Sequence, residues 1–195
     1  MTGNSGHKGW YSRGYLPHLD APGLVQAVTF RLADALPNRV LEAWKDTCED
    51  GEVLRRVAAY LDAGHGSCLL RHARAAAAVE EALLQHDGRR YRLLAWVVMP
   101  NHVHALAAML DGWPLGKIVR AWKGASSRAI NRLSGRRGRV WQPGYFDRFI
   151  RDEEHLARAV SYIEENPVKA GLVDHPEQWP FSSAARRDEG GQGDG

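Results

Sequence analysis

Two periodicities of apolar residues divide the chain into predicted strands and helices. Alternation with period two over residues 24–32 predicts a first strand, and the near-continuous apolar run 91–99 predicts a central strand covered on both faces. The chain then turns at Pro100-Asn101 and enters a second apolar run, which predicts a strand over about 102–109. A further short strand is expected after the turn at Pro143-Gly144.

Apolar positions with the helical period of 3.6 fill the segments between these strands. They predict helices over 37–50 and 52–61 with a break at Gly51, and a third over 67–85 that Ser67 caps. The clearest helix is 115–133, whose apolar residues fall within one arc of roughly 120°. The rest of its surface is basic and carries Lys117, Arg120, Lys123, Arg128 and Arg132.

Two histidines lie in the predicted strand that begins at residue 102. Side chains alternate between the faces of a strand, so His102 and His104 point to one face while Val103 and Ala105 point to the other. Imidazoles about 7 Å apart on one face can share a divalent metal ion. A single core histidine is usually a satisfied polar group, but two buried without partners would be costly. We therefore interpret the pair as metal ligands.

A last helix is predicted to begin at the acidic residues 152–154, which suit the positive end of a helix dipole. At 100° per residue, His155, Tyr162 and Asn166 lie within about 40° of one another at the edge of its apolar face. The helix can thus present a phenol and, one turn later, an amide to the histidine strand. Ordinary amphipathic packing is the alternative for Tyr162, and Pro167 disfavours helical dihedrals at Asn166.

Composition restricts the class of protein. A chain of 195 residues with 25% charged and 44% hydrophobic residues is expected to form one soluble domain with a sizeable core. No run of about 18 apolar residues predicts a membrane span. The first residues lack the apolar core of a signal peptide, and only Cys48 and Cys68 are present, which indicates the cytoplasm. Cys68 and His72 share a helix face, but a zinc site there is disfavoured because no fourth ligand is evident.

The net charge of +3 is unevenly distributed along the chain. Residues 117–151 hold ten lysines and arginines against one acid, Asp147, whereas residues 152–195 hold four basic and ten acidic residues. Such a basic block is typical of a nucleic-acid surface, since a merely solvated face would mix both signs. The neighbouring aromatic residues suit base stacking or are buried in the last strand. They are Trp141, Tyr145 and Phe146.

Three motifs follow one another at domain-sized spacing. They are Pro100-Asn-His-Val-His104, Trp141-Gln-Pro143 and Tyr162-Ile-Glu-Glu-Asn-Pro-Val-Lys-Ala-Gly171. Together with the segments 13–20 and 178–182, they resemble the REP-associated tyrosine transposases, single-tyrosine members of the HUH endonucleases, whose name denotes two histidines flanking a hydrophobic residue. The resemblance covers about residues 10–185, and the order of the three motifs makes it specific.

The resemblance implies an α+β, ferredoxin-like domain, with helices packed on a central antiparallel sheet and the histidines on a central strand. It implies that His102, His104 and Asn166 hold Mg²⁺ or Mn²⁺. It also implies that Tyr162 attacks a DNA phosphate, leaving a 5′-phosphotyrosine link and a free 3′-hydroxyl. The expected partner is single-stranded DNA with hairpin repeats, and the expected location is the cytoplasm, at the nucleoid. Candidate DNA contacts are Lys117, Arg120, Lys123, Arg128, Arg136, Arg137, Arg139, Trp141, Arg148 and Arg151.

Several alternatives stay open at this point. The chain is either a transposase-like nuclease and strand transferase, a domesticated hairpin-binding protein without cleavage, or a metal-dependent phosphoesterase without a covalent step. His155 is a candidate accessory base, with water as the alternative. A monomer and a homodimer are both compatible with the sequence. We expect an irregular arm over 1–22, the transposase-like domain over 23–185, and a disordered tail over 186–195.

Overall fold

The structure is a computed structural model that describes residues 9–12 and 17–191. Its strands are β1 (Gly9–Ser12), β2 (Pro17–Asp20), β3 (Val25–Arg31), β4 (Tyr91–Val98), β5 (His102–Met109) and β6 (Phe146–Phe149). Its α-helices are α1 (Asn38–Lys45), α2 (Asp50–Asp62), α3 (Ala73–Leu84), α4 (Leu115–Ser134), α5 (Glu153–Glu164), α6 (Asn166–Lys169) and α7 (Ser183–Gly191). Short 3₁₀ helices occupy Leu69–Arg71 and Pro176–Gln178.

Strands β3 to β6 form one antiparallel sheet in the order β4-β5-β3-β6. Helices α1 to α3 connect β3 to β4, a tight turn connects β4 to β5, and α4 connects β5 to β6. Strands β3 and β5, the first and third of this sheet along the chain, are therefore central. Strands β4 and β6, the second and fourth along the chain, are at its edges, which is the ferredoxin-like arrangement. The predicted α+β class is confirmed, and the histidine strand β5 is central as expected.

The two faces of the sheet have different coverings. Val103 and Ala105 belong to the larger hydrophobic cluster, which includes residues of α2, α3 and α4. Leu106 belongs to the smaller cluster, which α5 covers through Ile163. Because side chains alternate along β5, the histidines that flank Val103 lie on the same face as α5. Alternation in β5 thus directs the imidazoles towards the helix that carries Tyr162.

The strand 91–98 occupies an edge of the sheet, so the prediction of a central strand there was wrong. The run is apolar because both faces and also the outer edge are covered. The Val98 N–H donates to the Phe181 carbonyl at 2.9 Å, and Trp179 Nε1 donates to the Val98 carbonyl at 3.0 Å. The C-terminal segment therefore takes the place of a neighbouring strand.

Helix boundaries in the first half of the chain also differ from the prediction. The break between α1 and α2 lies at residues 46–49 and not at Gly51. Helix α3 begins at Ala73 and not at Ser67, because the Ser67 N–H donates to the Asp34 carboxylate at 2.8 Å and Cys68 adopts a left-handed conformation with φ 48°. Cys68 Sγ donates to the Gly64 carbonyl at 3.0 Å.

The terminal segments are more regular than the sequence predicted. Strands β1 and β2 pair antiparallel within the arm that was expected to be irregular. Helix α7 extends to Gly191, beyond the point where the disordered tail was expected to begin. The rest of the arm and tail, residues 1–8, 13–16 and 192–195, lies outside the described residues. Within the described part, no helix has the length and hydropathy that crossing a membrane requires.

Candidate active site

The two histidines of β5 converge on one point. Their Nε2 atoms lie 3.0 Å apart, and the rings meet edge to face with centroids 4.7 Å apart. The relative exposure of His102 is 0% and that of His104 is 5%. The strand spacing of about 7 Å is therefore reduced at the ring tips, because both side chains lean towards each other.

Asn101 fixes the orientation of His102. Its Nδ2 donates to the carbonyls of Leu61 and His65, at 3.0 and 2.9 Å, so its Oδ1 is the acceptor in the 2.7 Å contact with His102 Nδ1. The Nδ1 of His102 therefore carries the proton, and its Nε2 keeps a lone pair that faces His104. A metal-binding histidine typically has its other ring nitrogen held in this way.

Thr29 has the corresponding role for His104. Its Oγ1 lies 2.7 Å from His104 Nδ1, and the two residues are directly opposite each other in the β3–β5 pairing. A hydroxyl can donate or accept, so either tautomer of His104 has a partner on the side of Thr29. His104 can thus direct either an N–H or a lone pair to the point where the Nε2 atoms meet.

Asp62 is a third group at this point that the sequence did not predict. Its Oδ1 lies 3.6 Å from His102 Nε2, and the potential ligand atoms of Asp62, His102 and His104 all lie within 4.8 Å of one another. Asp62 is the last residue of α2, where the helix dipole disfavours a negative charge. An acidic residue at the C-terminal end of a helix is a sign in the sequence that Asp62 could have a functional role. Nothing in the sequence, however, related Asp62 to β5.

Tyr162 and Asn166 complete the cluster from the α5 face. The ring centroids of Tyr162 and His104 lie 5.4 Å apart, and Tyr162 is 37% exposed. Asn166, the first residue of α6, is 1% exposed, and its amide influences both Tyr162 and Asp62. The structure therefore brings together the four residues that the sequence singled out, and it adds Asp62.

Burial keeps the two imidazoles neutral. Burial lowers the pKa of His104 to about 4, and burial together with the neighbouring His104 lowers the pKa of His102 well below its ordinary value. The lone pairs of both rings are therefore available at neutral pH, which metal binding requires. The contact between Asp62 and His102 is not an ion pair under these conditions.

Burial acts in the opposite direction on the two acids of the site. It raises the pKa of Asp62 to about 6, an effect that the Asn166 amide and the charge of Lys169 partly offset. It also raises the pKa of Tyr162 to about 12, where the nearby Asp62 charge adds to the shift and the Asn166 amide opposes it. A positive charge at this position would therefore stabilise both anions, and the phenolate of Tyr162 most.

The residues present fit a divalent cation. The Asn166 amide lies close enough to Asp62 and Tyr162 to lower the pKa of both, but the geometry is too poor for a hydrogen bond, so Asp62 Oδ1 and both polar atoms of the Asn166 side chain are buried without a hydrogen-bond partner among the described residues. Buried polar atoms are rarely left unpaired, and a bound ion is one explanation for those that are. Two imidazole nitrogens with carboxylate and amide oxygens suit Mn²⁺, and the oxygens suit Mg²⁺.

Other predicted site residues lie elsewhere. His155 is in the first turn of α5, where its backbone N–H donates to the carboxylate of Asp152, the residue that caps the helix, at 2.7 Å. Seven residues of helix separate the backbones of His155 and Tyr162 by about 10 Å along the axis, and the accessory role of His155 stays a prediction. Arg148 in β6 pairs in register with Ala27, which puts it on the histidine face, and Arg151 follows with its guanidinium 5.6 Å from the Phe149 ring.

Two of the predicted DNA contacts are structural. Trp141 is 4% exposed, packs edge to face against Phe30 at 4.8 Å and donates to Ser126 Oγ at 3.0 Å, so it cannot stack on bases. Lys123 Nζ donates to the carbonyls of Gln142 and Gly144 at 2.6 and 2.7 Å, which fixes the turn before β6. The prediction that Trp141 stacks on bases was wrong because its ring is part of the core, whereas a phosphate contact of Lys123 stays a prediction.

The three other α4 residues that were predicted to contact DNA lie across the sheet from the site, because α4 packs on the opposite face. They are exposed and comprise Lys117, Arg120 and Arg128. A cavity of about 110 Å³ is lined by Arg136, Arg137 and Arg139 and also by Leu32. Leu32 is hydrogen bonded to Asn101, so this cavity lies at the same end of the sheet as the histidines.

Arg31 was not singled out in the sequence, although it lies directly opposite His102 in the β3–β5 pairing. It is buried, its Nε donates to Gln142 Oε1 at 3.0 Å, and its guanidinium lies 4.9 Å from the centre of the Phe146 ring. The Trp141-Gln-Pro143 motif therefore supplies a core residue and the partner that orients Arg31 beside the site.

Comparison with known proteins agrees with this geometry. Residues 75–166 match the family described as "Transposase IS200 like". The REP-associated tyrosine transposase of Escherichia coli (strain K12) is 31% identical over 98 residues, which cover 50% of this chain and 57% of that protein. The resemblance to the REP-associated tyrosine transposases is confirmed. A protein of Haemophilus influenzae is 30% identical over 106 residues, covering 49% of this chain and 60% of its own length.

The matched segments thus span little more than half the length of these curated relatives. The range 75–166 contains His102, His104, Tyr162 and Asn166, whereas Asp62 and Thr29 lie before it. A solved structure titled "Structure of the REP associates tyrosine transposase bound to a REP hairpin" superposes with a TM-score of 0.55 at 22% identity, over 92% of this chain and 87% of that one. This likeness to the transposase establishes the shared fold.

Proposed function

We propose that this protein is a metal-dependent, single-strand DNA endonuclease and strand transferase that acts at hairpins through a covalent 5′-phosphotyrosine link. The observation that carries the proposal is the position of the Tyr162 ring, 5.4 Å from the His104 ring and at the opening of the cluster that Asp62 and His102 complete. Similarity to transposases, one of them described with a REP hairpin, supports DNA hairpins as the substrate.

In this proposal, His102 and His104 present neutral Nε2 atoms to the ion, and Asn101 and Thr29 hold the rings in place. Asp62 and Asn166 contribute oxygen atoms. When bound, Mn²⁺ or Mg²⁺ supplies Lewis-acid polarisation of the scissile phosphate. The donor set and the unpaired buried atoms of Asp62 and Asn166 support these assignments.

Tyr162 is the nucleophile in the proposal. A phenol whose pKa is raised to about 12 ionises rarely at neutral pH, so a nearby positive charge is needed to favour its attack. As its Oη forms a bond to phosphorus, the bond from phosphorus to O3′ breaks and the strand retains a free 3′-hydroxyl. The phenol proton passes to water, which reaches the exposed side of the ring. The phosphodiester energy is kept in the tyrosyl link, so a second strand can be joined without ATP.

The DNA backbone is proposed to follow the basic residues near the site. Arg148 and Arg151 lie on or beside the histidine face, and the cavity bordered by Arg136, Arg137 and Arg139 lies at the same end of the sheet. Such contacts position the strand and do not read its sequence. Three exposed basic residues of α4 are assigned to parts of the hairpin farther from the cleavage point. They are Lys117, Arg120 and Arg128.

The test is a denaturing gel of an end-labelled single-stranded hairpin, drawn from the repeats flanking the gene, incubated with protein and Mn²⁺. The wild-type protein is expected to form a protein–DNA adduct that Tyr162→Phe abolishes and that Tyr60→Phe, on the buried side of α2, does not. Binding without cleavage would favour a domesticated hairpin-binding protein. Cleavage that survives Tyr162→Phe would favour a phosphoesterase without a covalent step.

A further inference from the structure

Lys169 lies on the same face of the tyrosine helix as the residues of the candidate site. The Lys169 N–H donates to the Glu165 carbonyl at 3.0 Å, so helical spacing continues from α5 into α6. Tyr162, Asn166 and Lys169 are therefore at positions i, i+4 and i+7, which stack along one face. The Lys169 ammonium lies 5.4 Å from the centre of the Tyr162 ring.

An ion pair orients this ammonium without burying it. Lys169 Nζ lies 2.9 Å from Glu165 Oε2, and the other oxygen of Glu165 accepts from Ser161 Oγ at 2.7 Å. The side chains of Lys169 and Glu165 are 51% and 47% exposed. An exposed pair of this kind contributes little to stability, so the ammonium can exchange the carboxylate for another anion at low cost.

The charge of Lys169 also reaches the cation site. It is one of the causes that lower the pKa of Asp62 against the effect of burial. Lys169 therefore acts electrostatically on the candidate cation site, and its ammonium also lies close to the proposed nucleophile. A lysine on a flexible stem suits binding of a single phosphate oxygen as a point charge.

We propose that Lys169 is a catalytic residue that leaves Glu165 and binds a non-bridging oxygen of the phosphate that Tyr162 attacks. The inference rests on the proposed function. During the step, the bond from Tyr162 Oη to phosphorus forms and the bond from phosphorus to O3′ breaks. The phenol proton goes to water, and O3′ takes a proton from water. Lys169 keeps its protons and offsets the negative charge that develops on the phosphate oxygens.

The experiment measures single-turnover adduct formation and hairpin affinity in parallel, with Mn²⁺ and the same labelled hairpin. Lys169→Met is expected to slow adduct formation by about 10- to 100-fold while the hairpin Kd changes by less than about threefold. Lys169→Arg is expected to recover most of the rate. The matched control is Lys45→Met on α1, which removes the same charge outside this face and should react at the wild-type rate.

A second substrate separates a contact with phosphate from a structural role. A methylphosphonate at the mapped cleavage position removes the charged oxygen, so wild-type protein and Lys169→Met should then react at nearly equal rates. An undiminished difference on methylphosphonate, or a loss confined to Kd, overturns the role of Lys169. If wild-type protein forms the adduct and Lys169→Met forms it equally fast, Lys169 alone is excluded. If wild-type protein forms none, the proposed function fails as well.

Discussion

Replacing Asp62 with Asn is expected to stabilise the metal-free protein and to weaken its response to metal. In the folded protein burial raises the pKa of Asp62 from 3.8 to about 6. A carboxyl with a raised pKa stabilises the fold only when protonated, so the cost of its charge appears as pH rises through the range 3.8 to 6 and is complete above it. About two pH units correspond to about 3 kcal/mol.

That figure is an upper value, because the side chain of Asp62 is 28% exposed and solvent screens part of the cost. We expect Asp62→Asn to raise the free energy of unfolding by about 1–3 kcal/mol at pH 7.5 in EDTA. For a chain of this size, the gain corresponds to an increase in Tm of roughly 2–10 °C. The gain should shrink as the pH approaches 4, where the carboxyl of the folded wild-type protein is protonated.

The assay is differential scanning calorimetry between pH 4.5 and 8, in EDTA and with Mn²⁺ at a concentration about 100 times its Kd. The ion should stabilise wild-type protein by about 2.7 kcal/mol and Asp62→Asn by clearly less. Asp46→Asn is the matched control, since Asp46 is an exposed acid at the end of α1. A metal-free Asp62→Asn protein that is less stable than wild type at pH 7.5, or an unchanged response to Mn²⁺, would refute the reasoning.

Three further outcomes follow from contacts in the structure. Thr29→Val should weaken Mn²⁺ binding by about 10- to 100-fold in calorimetric titrations while Thr29→Ser retains it, because the hydroxyl orients His104; equal affinities would contradict this. In EDTA, the stability of wild-type protein relative to His104→Gln should fall by about 3 kcal/mol between pH 6.5 and 4 in urea unfolding, because the unfolded chain binds a proton that buried His104 accepts only near pH 4; the comparison cancels the opposite contribution of Asp62, and an unchanged difference would contradict it. Trp141→Ala should cost about 3–5 kcal/mol in urea unfolding, whereas Trp141→Phe should bind the hairpin with wild-type affinity, and a large loss of affinity in a folded Trp141→Phe protein would restore its role in stacking.

The sequence was most informative where the candidate site residues lie in an element whose apolar residues show a clear period. Strand β5 begins and ends at the predicted residues, and α4 differs from the prediction by one residue. Alternation in β5 was sufficient to place His102 and His104 on one face. The i, i+4 spacing of Tyr162 and Asn166 was sufficient to place both on one side of their helix. Convergence of the two elements followed from the resemblance to a known family.

The residues that the sequence missed reach the site from distant parts of the chain. Asp62 ends a helix whose apolar face packs on the opposite side of the sheet, and it meets His102 only because Asn101 binds the end of that helix. Arg31 reads as an ordinary polar position in a strand until the pairing with His102 is known. The positions of Asp62 and Arg31 depend on tertiary contacts, and neither local propensity nor residue spacing contains information about such contacts.

The charge pattern said less about individual residues, for a related reason. The basic residues of α4 were assigned to DNA by their density, but density does not tell on which side of a sheet a helix packs. Lys123 shows the second limit, since its ammonium is bound to two carbonyls of a turn. Charge composition therefore predicts nucleic acid as a partner, while the structure is needed to place Arg148 on the histidine face of the sheet.

The chain segment alongside β4 has a consequence for self-association. Protomers often join by continuing a sheet across bare strand borders. Here the Val98 N–H already donates to the Phe181 carbonyl, and Val97 forms a β-bridge with Ser182. The outer edge of β4 is therefore covered by a segment of the same chain. A homodimer that extends the sheet through β4 would first have to displace this segment.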